Sequence, residues 1–448
     1  MRLGGDSLRC SGSEANGFEL ELRVVPGESC LPRHGNSETG LTAEAVMKTI
    51  ARASLMNQFV ITLAMILTVS RIAIGQVNVT VLDTVTINQS HYYGYFPSLQ
   101  MLSTGELICD ISMDPDHHDV EGVFWAFLIS KDKGKTWGMR NTAGFVYREA
   151  AYTRNPLSDG SMLMLAGYPL PAEKDNFRHL QASSVRFSNH GETILFSRDV
   201  RIHLPKPAAR QQLNQKVTHF ASLGPGKIKE AAMALFSGDI VETRGGEWLT
   251  TMYGKMEGDK YFRSYIVRSD KAGKTWKYVS TIAGDEAAAV LEGETKTEGF
   301  TEPRMLRVKD NQLFAVMRRG SNNVIYKSWS NDEGLTWTKP TSIGFRGVEP
   351  CLWLMKNGVL VLSTGRPDPV MVHFSTDGGV TWTNPTELFR EKGTRYTGMV
   401  EVEPNKLLVV YDHVPFDWGV IPENEPNAMN SIHGTFLRVT RQDLSPGK

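Results

Sequence analysis

The amino-acid sequence predicts an all-β protein, a six-bladed β-propeller of four-stranded antiparallel blades. Two internal repeats lead to this prediction: an octapeptide that recurs four times, and a longer hairpin pattern that recurs six times. A third observation is that little of residues 77–442 has the apolar spacing of a long helix. We interpret residues 77–442 as one domain, because all-β folds of this kind use several hundred residues as a single unit.

The octapeptide has the form S-x-D-x-G-x-T-W. Its Asp can accept hydrogen bonds from a turn backbone, its Gly supplies a positive φ, and Thr-Trp suits the start of a returning strand. The pattern predicts hairpin turns between outer strands, so its Asp and Trp residues are interpreted as structural. The second copy has Lys271 in place of Asp, with Asp270 beside it, and a weaker copy is expected at 188–193. The copies are SKDKGKTW (130–137), SDKAGKTW (269–276), SNDEGLTW (330–337) and STDGGVTW (375–382).

The longer repeat consists of an apolar strand, a turn with Gly or Asn, and a second apolar strand. Each copy predicts the two inner strands of one blade. Residues 77–87 and 434–441 are expected to pair and close the ring, which leaves only short sheet edges. The polar region 205–228 is expected to be a loop or short helix over the active face. The six copies cover 96–111, 153–167, 239–254, 302–318, 349–366 and 396–412.

The first part of the chain lacks the pattern of a folded domain. Residues 1–46 are rich in Gly, Ser and Glu, and are expected to be a disordered extension or to precede the true start. Residues 47–75 have the pattern of a signal peptide: Lys48 precedes the apolar run 59–69, and small residues follow. An uncleaved membrane anchor is the alternative, although the run is short for a span. We therefore expect a secreted or periplasmic protein without stable membrane insertion.

The charge and cysteine content of the sequence limit the partners, disulfides and metal sites that can be expected. Lys and Arg together number 49, as do Asp and Glu, so there is no basic excess to bind nucleic acid non-specifically. Beyond residue 75 the cysteines are Cys109 and Cys351, which are expected to be buried free thiols, with a disulfide as the alternative. No Cys or His spacing indicates a zinc site. No metal or cofactor is expected, and we expect a monomer.

The octapeptide is the Asp-box, and through it the chain resembles the sialidase (neuraminidase) superfamily, also called BNR-repeat proteins. The resemblance implies a sialidase-like six-bladed propeller and a retaining mechanism in which a Tyr paired with a Glu is the nucleophile. Sialic acid carries a carboxylate on its anomeric carbon, and a neutral phenol avoids the repulsion that an anionic nucleophile would meet. The resemblance places Glu302 (in FTEPRML) and Tyr396 (in RYTGMVE) in these catalytic roles, with Glu349 as a competing carboxylate.

The resemblance also implies three arginines that bind the substrate carboxylate, because a planar guanidinium can hold a carboxylate through two hydrogen bonds. Arg318 corresponds to the second of these arginines, and the adjacent Arg319 is an alternative. Arg366, in TGRPDP, resembles the third.

The first of these arginines is missing. The sequence GYFPSL has Tyr95 and Phe96 at the corresponding place. Arg148 or Arg154 is an alternative source of the guanidinium. This departure weakens the prediction of sialic acid as the substrate more than it weakens the prediction of glycosidase chemistry.

The acid/base of the family is an Asp in the loop that leaves the first inner hairpin. Here that loop is SMDPDHHDVEG, residues 112–122, with Asp116 and Asp119 as candidates. Burial or a neighbouring carboxylate would raise the pKa of an Asp enough for it to act as an acid. His118, in the adjacent histidine pair, is an alternative acid/base or a substrate contact.

The sequence thus predicts a glycoside hydrolase, an exo-α-sialidase that removes terminal sialic acid from sialoglycoconjugates. Two alternatives stay open: a glycosidase or lyase for uronate- or rhamnose-containing polysaccharides, and a non-catalytic carbohydrate-binding propeller. The missing arginine favours the alternatives, whereas Glu302, Tyr396, Arg318 and Arg366 favour the sialidase.

Overall fold

A computed structural model gives the architecture. It describes residues 76–91, 94–112, 125–140, 149–153, 156–166, 169–171, 179–191, 193–210, 231–232, 234–285, 297–320, 322–416 and 421–442. The predicted extension 1–46, the predicted signal segment 47–75 and most of region 205–228 lie outside these residues. Regular structure in the described residues is β, apart from a 3-10 turn at Asn189–Gly191. None of their helical segments has the length and apolarity to cross a membrane.

Four sheets are separate, antiparallel and four-stranded. The first has the order β1-β27-β26-β25, with β1 at Gln76–Ser90, β25 at Thr397–Glu403, β26 at Lys406–His413 and β27 at Asn430–Gln442. The second contains β2 (Tyr95–Met101), β3 (Leu107–Ser112), β4 (Trp125–Ser130) and β5 (Gly138–Arg140). The third contains β17 (Thr301–Lys309), β18 (Gln312–Arg318), β19 (Val324–Ser330) and β20 (Thr341–Arg346). The fourth contains β21 (Val348–Leu354), β22 (Leu360–Gly365), β23 (Val370–Ser375) and β24 (Thr383–Phe389).

The middle of the chain forms one nine-stranded sheet, in the order β10-β16-β15-β14-β13-β6-β7-β9-β8. Because β10 also pairs with β9, eight of these strands hydrogen-bond in a closed circuit. A separate two-stranded sheet contains β11 (Ala209–Arg210) and β12 (Ala231–Ala232). The nine strands are β6 (Glu149–Tyr152), β7 (Met162–Ala166), β8 (Leu170–Pro171), β9 (His179–Ser188), β10 (Thr193–His203), β13 (Ala234–Glu242), β14 (Trp248–Gly254), β15 (Arg263–Ser269) and β16 (Thr275–Ala283).

The all-β part of the prediction is therefore confirmed, but the six-bladed propeller of four-stranded blades is wrong. The hairpins expected to form two separate blades are joined by two short parallel junctions. Strand β13 pairs with β6 through Gly238–Ala151 and Asp239–Tyr152. Strand β10 pairs with β16 over residues 201–203, in register with 275–277. The backbone hydrogen bonds of these two junctions, β6 with β13 and β10 with β16, thus merge the two expected blades into one sheet.

The Asp-boxes form turns, as predicted. They join β4 to β5, β15 to β16, β19 to β20 and β23 to β24. In three of them the Asp accepts hydrogen bonds from both the backbone N–H and the hydroxyl of the Thr four residues later, as Asp332 does from Thr336 at 2.9 and 2.5 Å. In the divergent second copy Asp270 accepts from the N–H of Lys274 at 2.9 Å. The weaker copy forms the turn between β9 and β10.

The pairing of the two ends of the predicted domain is also confirmed. Strand β1 is antiparallel to β27, with Val77 opposite Arg441 and Ser90 opposite Asn430. Buried apolar side chains pack between neighbouring sheets; one cluster contains Leu107, Phe374 and Leu408 from three different sheets. Cys109 and Cys351 are buried free thiols, so the disulfide alternative is wrong.

The first strands of the hairpins lie side by side, β6 next to β13, then β17, β21, β25 and β2. Three of them begin with the same local conformation: Phe96, Glu302 and Glu349 have φ of 53°, 47° and 39°. Each is followed by a proline and by a shift in register. A left-handed φ is unfavourable for a residue with a side chain, so neighbouring groups must hold it. These starts converge on the candidate site.

Candidate active site

Glu302 and Tyr396 lie together, although 94 positions separate them in sequence. The Tyr396 hydroxyl donates a hydrogen bond to Glu302 Oε1 at 2.9 Å. The same oxygen accepts from Arg318 Nη1. The other oxygen, Oε2, accepts from the backbone N–H of Glu349 at 2.8 Å. The carboxylate of Glu302 is therefore fixed at both oxygens, and one oxygen is aligned with the phenol.

The surroundings of the pair favour the ionised form of Glu302 and the neutral form of Tyr396. Burial by itself would raise the pKa of Glu302, but the Arg318 charge, the Glu349 N–H and the Tyr396 hydroxyl together lower it. Burial raises the pKa of Tyr396 well above its usual value, and the charge of Glu302 raises it further. The resting site thus holds an ionised carboxylate beside a neutral phenol, a pair in which the carboxylate can accept the phenol proton as the phenol reacts.

Arg318 and Arg366 flank this pair. Arg318 also forms an ion pair with Glu298, its Nη2 lying 3.2 Å from Glu298 Oε1. The guanidinium carbon of Arg366 lies 5.8 Å from the centre of the Tyr396 ring, and its Nε donates to the carbonyl of Thr394 at 3.1 Å. Two positive charges therefore lie beside the phenol.

Arg319 is not among these contacts. Its side chain is buried against the rings of Phe300 and Tyr326, at 5.5 and 4.9 Å from their centres. The Arg319 side chain is therefore part of the buried core.

Tyr95 and Phe96, at the place of the missing arginine, form an apolar wall. Both are buried and pack with Val414. The Phe96 ring meets the Tyr396 ring edge to face, with centroids 5.1 Å apart. An aromatic contact therefore supports the phenol at the place where the resemblance led us to expect a guanidinium.

Glu349, the competing carboxylate, contacts Glu302 through its backbone. Its side chain points to the buried Arg304, with which it forms an ion pair. Burial raises the pKa of Glu349, and the charge of Glu302 raises it further, while Arg304 opposes both.

Asp412 and Arg395 are parts of the site that the sequence analysis missed. Asp412 is fully buried on β26 and accepts hydrogen bonds from the N–H groups of Phe96, at 3.1 Å, and Arg395, at 3.0 Å, and from the Thr394 hydroxyl. Arg395 donates to the carbonyls of Pro367 and Asp368, at 3.1 and 3.0 Å. Together they tie the segment before Tyr396 to β2 and to the turn after Arg366. The signal available in the sequence was a charged residue inside an apolar strand, Asp412 in VVYDH.

Asp412 is expected to make stability depend on pH. Burial raises its pKa to about 6, against about 3.9 in an unfolded chain. Between these values the native state binds more protons than the unfolded state, so the contribution of Asp412 to stability falls as the pH rises. We expect the unfolding free energy of wild type relative to Asp412→Asn to fall by about 2 kcal/mol between about pH 4 and about pH 6.5. Urea unfolding of both proteins across this range measures the difference.

The exposed Asp83 provides the control, since Asp83→Asn should leave the profile unchanged. A difference between wild type and Asp412→Asn that stays constant with pH would show that Asp412 does not titrate in this range.

Several predicted residues lie outside the described part of the chain. These are the acid/base candidates Asp116 and Asp119, the neighbouring His118, and the alternative arginines Arg148 and Arg154. Their roles stay predictions. Within the described ranges, no group of three or more His, Cys, Asp or Glu side chains is arranged to hold a metal ion.

Comparison with known proteins gives a family match for part of the chain. Residues 209–403 match the model of a family described as a BNR repeat-like domain. This part of the chain, which contains three of the four Asp-boxes, is therefore similar to BNR repeat-like domains. No curated protein sequence matches the chain.

Solved structures show the fold that the chain shares. A protein of unknown function from Dyadobacter fermentans is 19% identical, with a TM-score of 0.59 over 81% of this chain and 99% of that one. A Penicillium chrysogenum α-L-arabinanase complexed with arabinobiose is 16% identical, with a TM-score of 0.52 over 79% of this chain and 98% of that one. A Hadza microbial sialidase is 16% identical, with a TM-score of 0.50 over 71% of this chain and 63% of that one. The fold is therefore one that glycoside hydrolases use.

Proposed function

We propose that this protein is a retaining glycoside hydrolase that removes a terminal anionic sugar, sialic acid, from glycoconjugates. The observation that carries the proposal is the hydrogen bond of 2.9 Å from the Tyr396 hydroxyl to Glu302 Oε1. A buried, neutral phenol aligned with an ionised carboxylate is the arrangement that a nucleophilic tyrosine requires. Arg318 and Arg366 supply the positive charge that an anionic sugar needs beside that phenol.

The proposed reaction has two steps. Tyr396 attacks the anomeric carbon while its proton passes to Glu302, and the glycosidic oxygen leaves with a proton from an acid in the 112–122 loop, Asp116 or Asp119. Water then attacks the anomeric carbon and gives one proton to the deprotonated acid of the loop, while the released Tyr396 phenolate takes its proton back from Glu302. The carboxylate of the sugar would lie against Arg318 and Arg366. Export through the signal at 47–75 is part of the proposal, since glycoconjugate substrates are abundant outside the cell.

A second candidate is a glycosidase for a uronate-bearing polysaccharide. It is favoured by the aromatic wall at Tyr95 and Phe96, where a sialidase would place its first arginine. A uronate carries its carboxylate away from the anomeric carbon, so a cluster of guanidinium groups at that carbon is less necessary.

The test is release of a fluorogenic leaving group from a sialoside, a glucuronide and an arabinofuranoside by the full chain. We expect turnover of the sialoside, with a loss of about a hundredfold or more in kcat for Glu302→Gln. The exposed Glu423 gives the matched control Glu423→Gln, which should behave as wild type. Turnover of the glucuronide alone would establish the second candidate, and binding of glycans without turnover would overturn the proposal.

A further inference from the structure

Glu302 and Glu349 share an unusual backbone conformation. Both are the second residue of the first strand of a sheet, both have φ in the left-handed region (47° and 39°), and both precede a proline. For Glu349 this conformation has a direct consequence, because it points the backbone N–H at Glu302 Oε2, 2.8 Å away. What holds Glu349 in place therefore also holds the carboxylate beside Tyr396.

Arg304 is the group that holds Glu349. Its guanidinium forms an ion pair with the Glu349 carboxylate, and the two side chains are only 6% and 12% exposed. The guanidinium carbon also lies 5.5 Å from the centre of the Tyr152 ring on β6. The ion pair joins β17 to β21, the two strands that contain Glu302 and Glu349.

A buried ion pair is a weak source of stability, because removing two charges from water costs about as much as their attraction returns. Two apolar side chains of similar size would link the strands at least as well. They would not fix the Glu349 side chain in one direction, as the charged hydrogen bond from Arg304 Nη2 to Glu349 Oε1 does. The geometry of the pair is thus better explained by positioning than by stability.

We propose that Arg304 and Glu349 are positioning residues for the Glu302–Tyr396 pair. Their ion pair keeps Glu349 in the left-handed conformation, the Glu349 N–H keeps Oε2 of Glu302 in place, and Oε1 is thereby directed at the Tyr396 hydroxyl. The proposal rests on the catalytic roles given above to Glu302 and Tyr396. It assigns no substrate contact to Arg304 or Glu349.

The test compares wild type with Arg304→Met and with Arg304→Met/Glu349→Leu, in which no buried charge is left unpaired. We expect kcat for the sialoside to fall by about ten- to a hundredfold in both, with KM changed by less than about threefold. The acid limb of the kcat profile should move to higher pH, because a displaced backbone N–H at position 349 no longer lowers the pKa of Glu302. Arg304→Lys, which keeps the charge, should recover part of kcat.

Arg307→Met is the matched control. Arg307 lies on the same strand and pairs with Glu333, about a quarter exposed, away from Glu302. Its kcat and pH profile should equal those of wild type. If the double variant keeps the wild-type kcat and pH profile and changes only in stability, the ion pair is structural and the positioning proposal is overturned.

Crystal structures of wild type and of the double variant separate this proposal from the proposed function. If wild type turns over no glycoside, the proposed function fails, but the distance from Tyr396 Oη to Glu302 Oε1 still tests positioning. A distance that lengthens beyond hydrogen-bond range in the double variant supports it. An unchanged distance overturns it.

Discussion

Replacing Tyr396 by phenylalanine is expected to lower kcat for the sialoside by at least about a thousandfold, because it removes the atom proposed to attack the anomeric carbon. The ring should stay in place, since its contacts with Phe96 at 5.1 Å and with Arg366 at 5.8 Å do not involve the hydroxyl. KM should therefore change by less than about threefold. Initial rates over a range of sialoside concentrations measure both constants.

The control removes a phenol hydroxyl elsewhere. Tyr278 on β16 shares a hydrogen bond of 2.9 Å with Thr281 and has no part in the site, so Tyr278→Phe should keep wild-type kinetics. A Tyr396→Phe variant that retains more than about a tenth of the wild-type kcat would exclude tyrosine as the nucleophile. A rapid release of about one equivalent of leaving group in wild type, absent from the variant, would support a covalent intermediate.

Trp276→Ala is expected to lower the free energy of unfolding by about 3–5 kcal/mol. This Asp-box tryptophan is fully buried, packs edge to face on Phe236 with centroids 6.0 Å apart, and donates from Nε1 to the carbonyl of Gly273 at 3.0 Å. It lies on β16 opposite Ile202 of β10, where the nine-stranded sheet closes. Urea unfolding, followed by circular dichroism, measures the loss.

Trp337 occupies the same position in the third Asp-box and serves as the comparison. It is only half-buried, and its Nε1 donates to the Ser280 hydroxyl at 3.2 Å. We expect Trp337→Ala to cost about 1–2 kcal/mol, in proportion to the smaller apolar area that it buries. Equal losses for the two variants would mean that closure of the large sheet does not depend on Trp276.

Local features of the fold could be predicted because a few consecutive residues determine them. In an Asp-box the acceptor, its donors and the glycine with positive φ lie within eight positions, as Asp332, Gly334 and Thr336 show. The hairpins follow likewise from apolar strands on either side of a turn. Such elements leave a pattern in the sequence wherever they occur.

The merging of two hairpins into one sheet leaves no such pattern. The junction of β6 with β13 pairs two residues of each strand, and that of β10 with β16 pairs three. These are backbone hydrogen bonds that many side chains permit, so no residue type indicates them. The expected number of separate blades was wrong for that reason.

In the site, the grouping of Glu302, Tyr396, Arg318 and Arg366 could be anticipated from their places at strand ends and from family resemblance, while their roles stay predictions. Arg319 illustrates the limit, because neighbouring arginines cannot be assigned to the cleft or the core without coordinates. The supports provided by Asp412 and by Arg304 with Glu349 were missed. They depend on contacts between sheets, which the order of residues does not reveal.

The pairing of β1 with β27 has a consequence for biosynthesis. Among the described strands, β1 (Gln76–Ser90) comes first in sequence, yet it pairs in its sheet with β27 (Asn430–Gln442), which comes last. Until β27 has been translated, β1 has no strand of this sheet to pair with, and β25 and β26 form an isolated hairpin. The sheet that follows Tyr396 should therefore assemble only after β27 has left the ribosome, and any activity that depends on Tyr396 should appear no earlier.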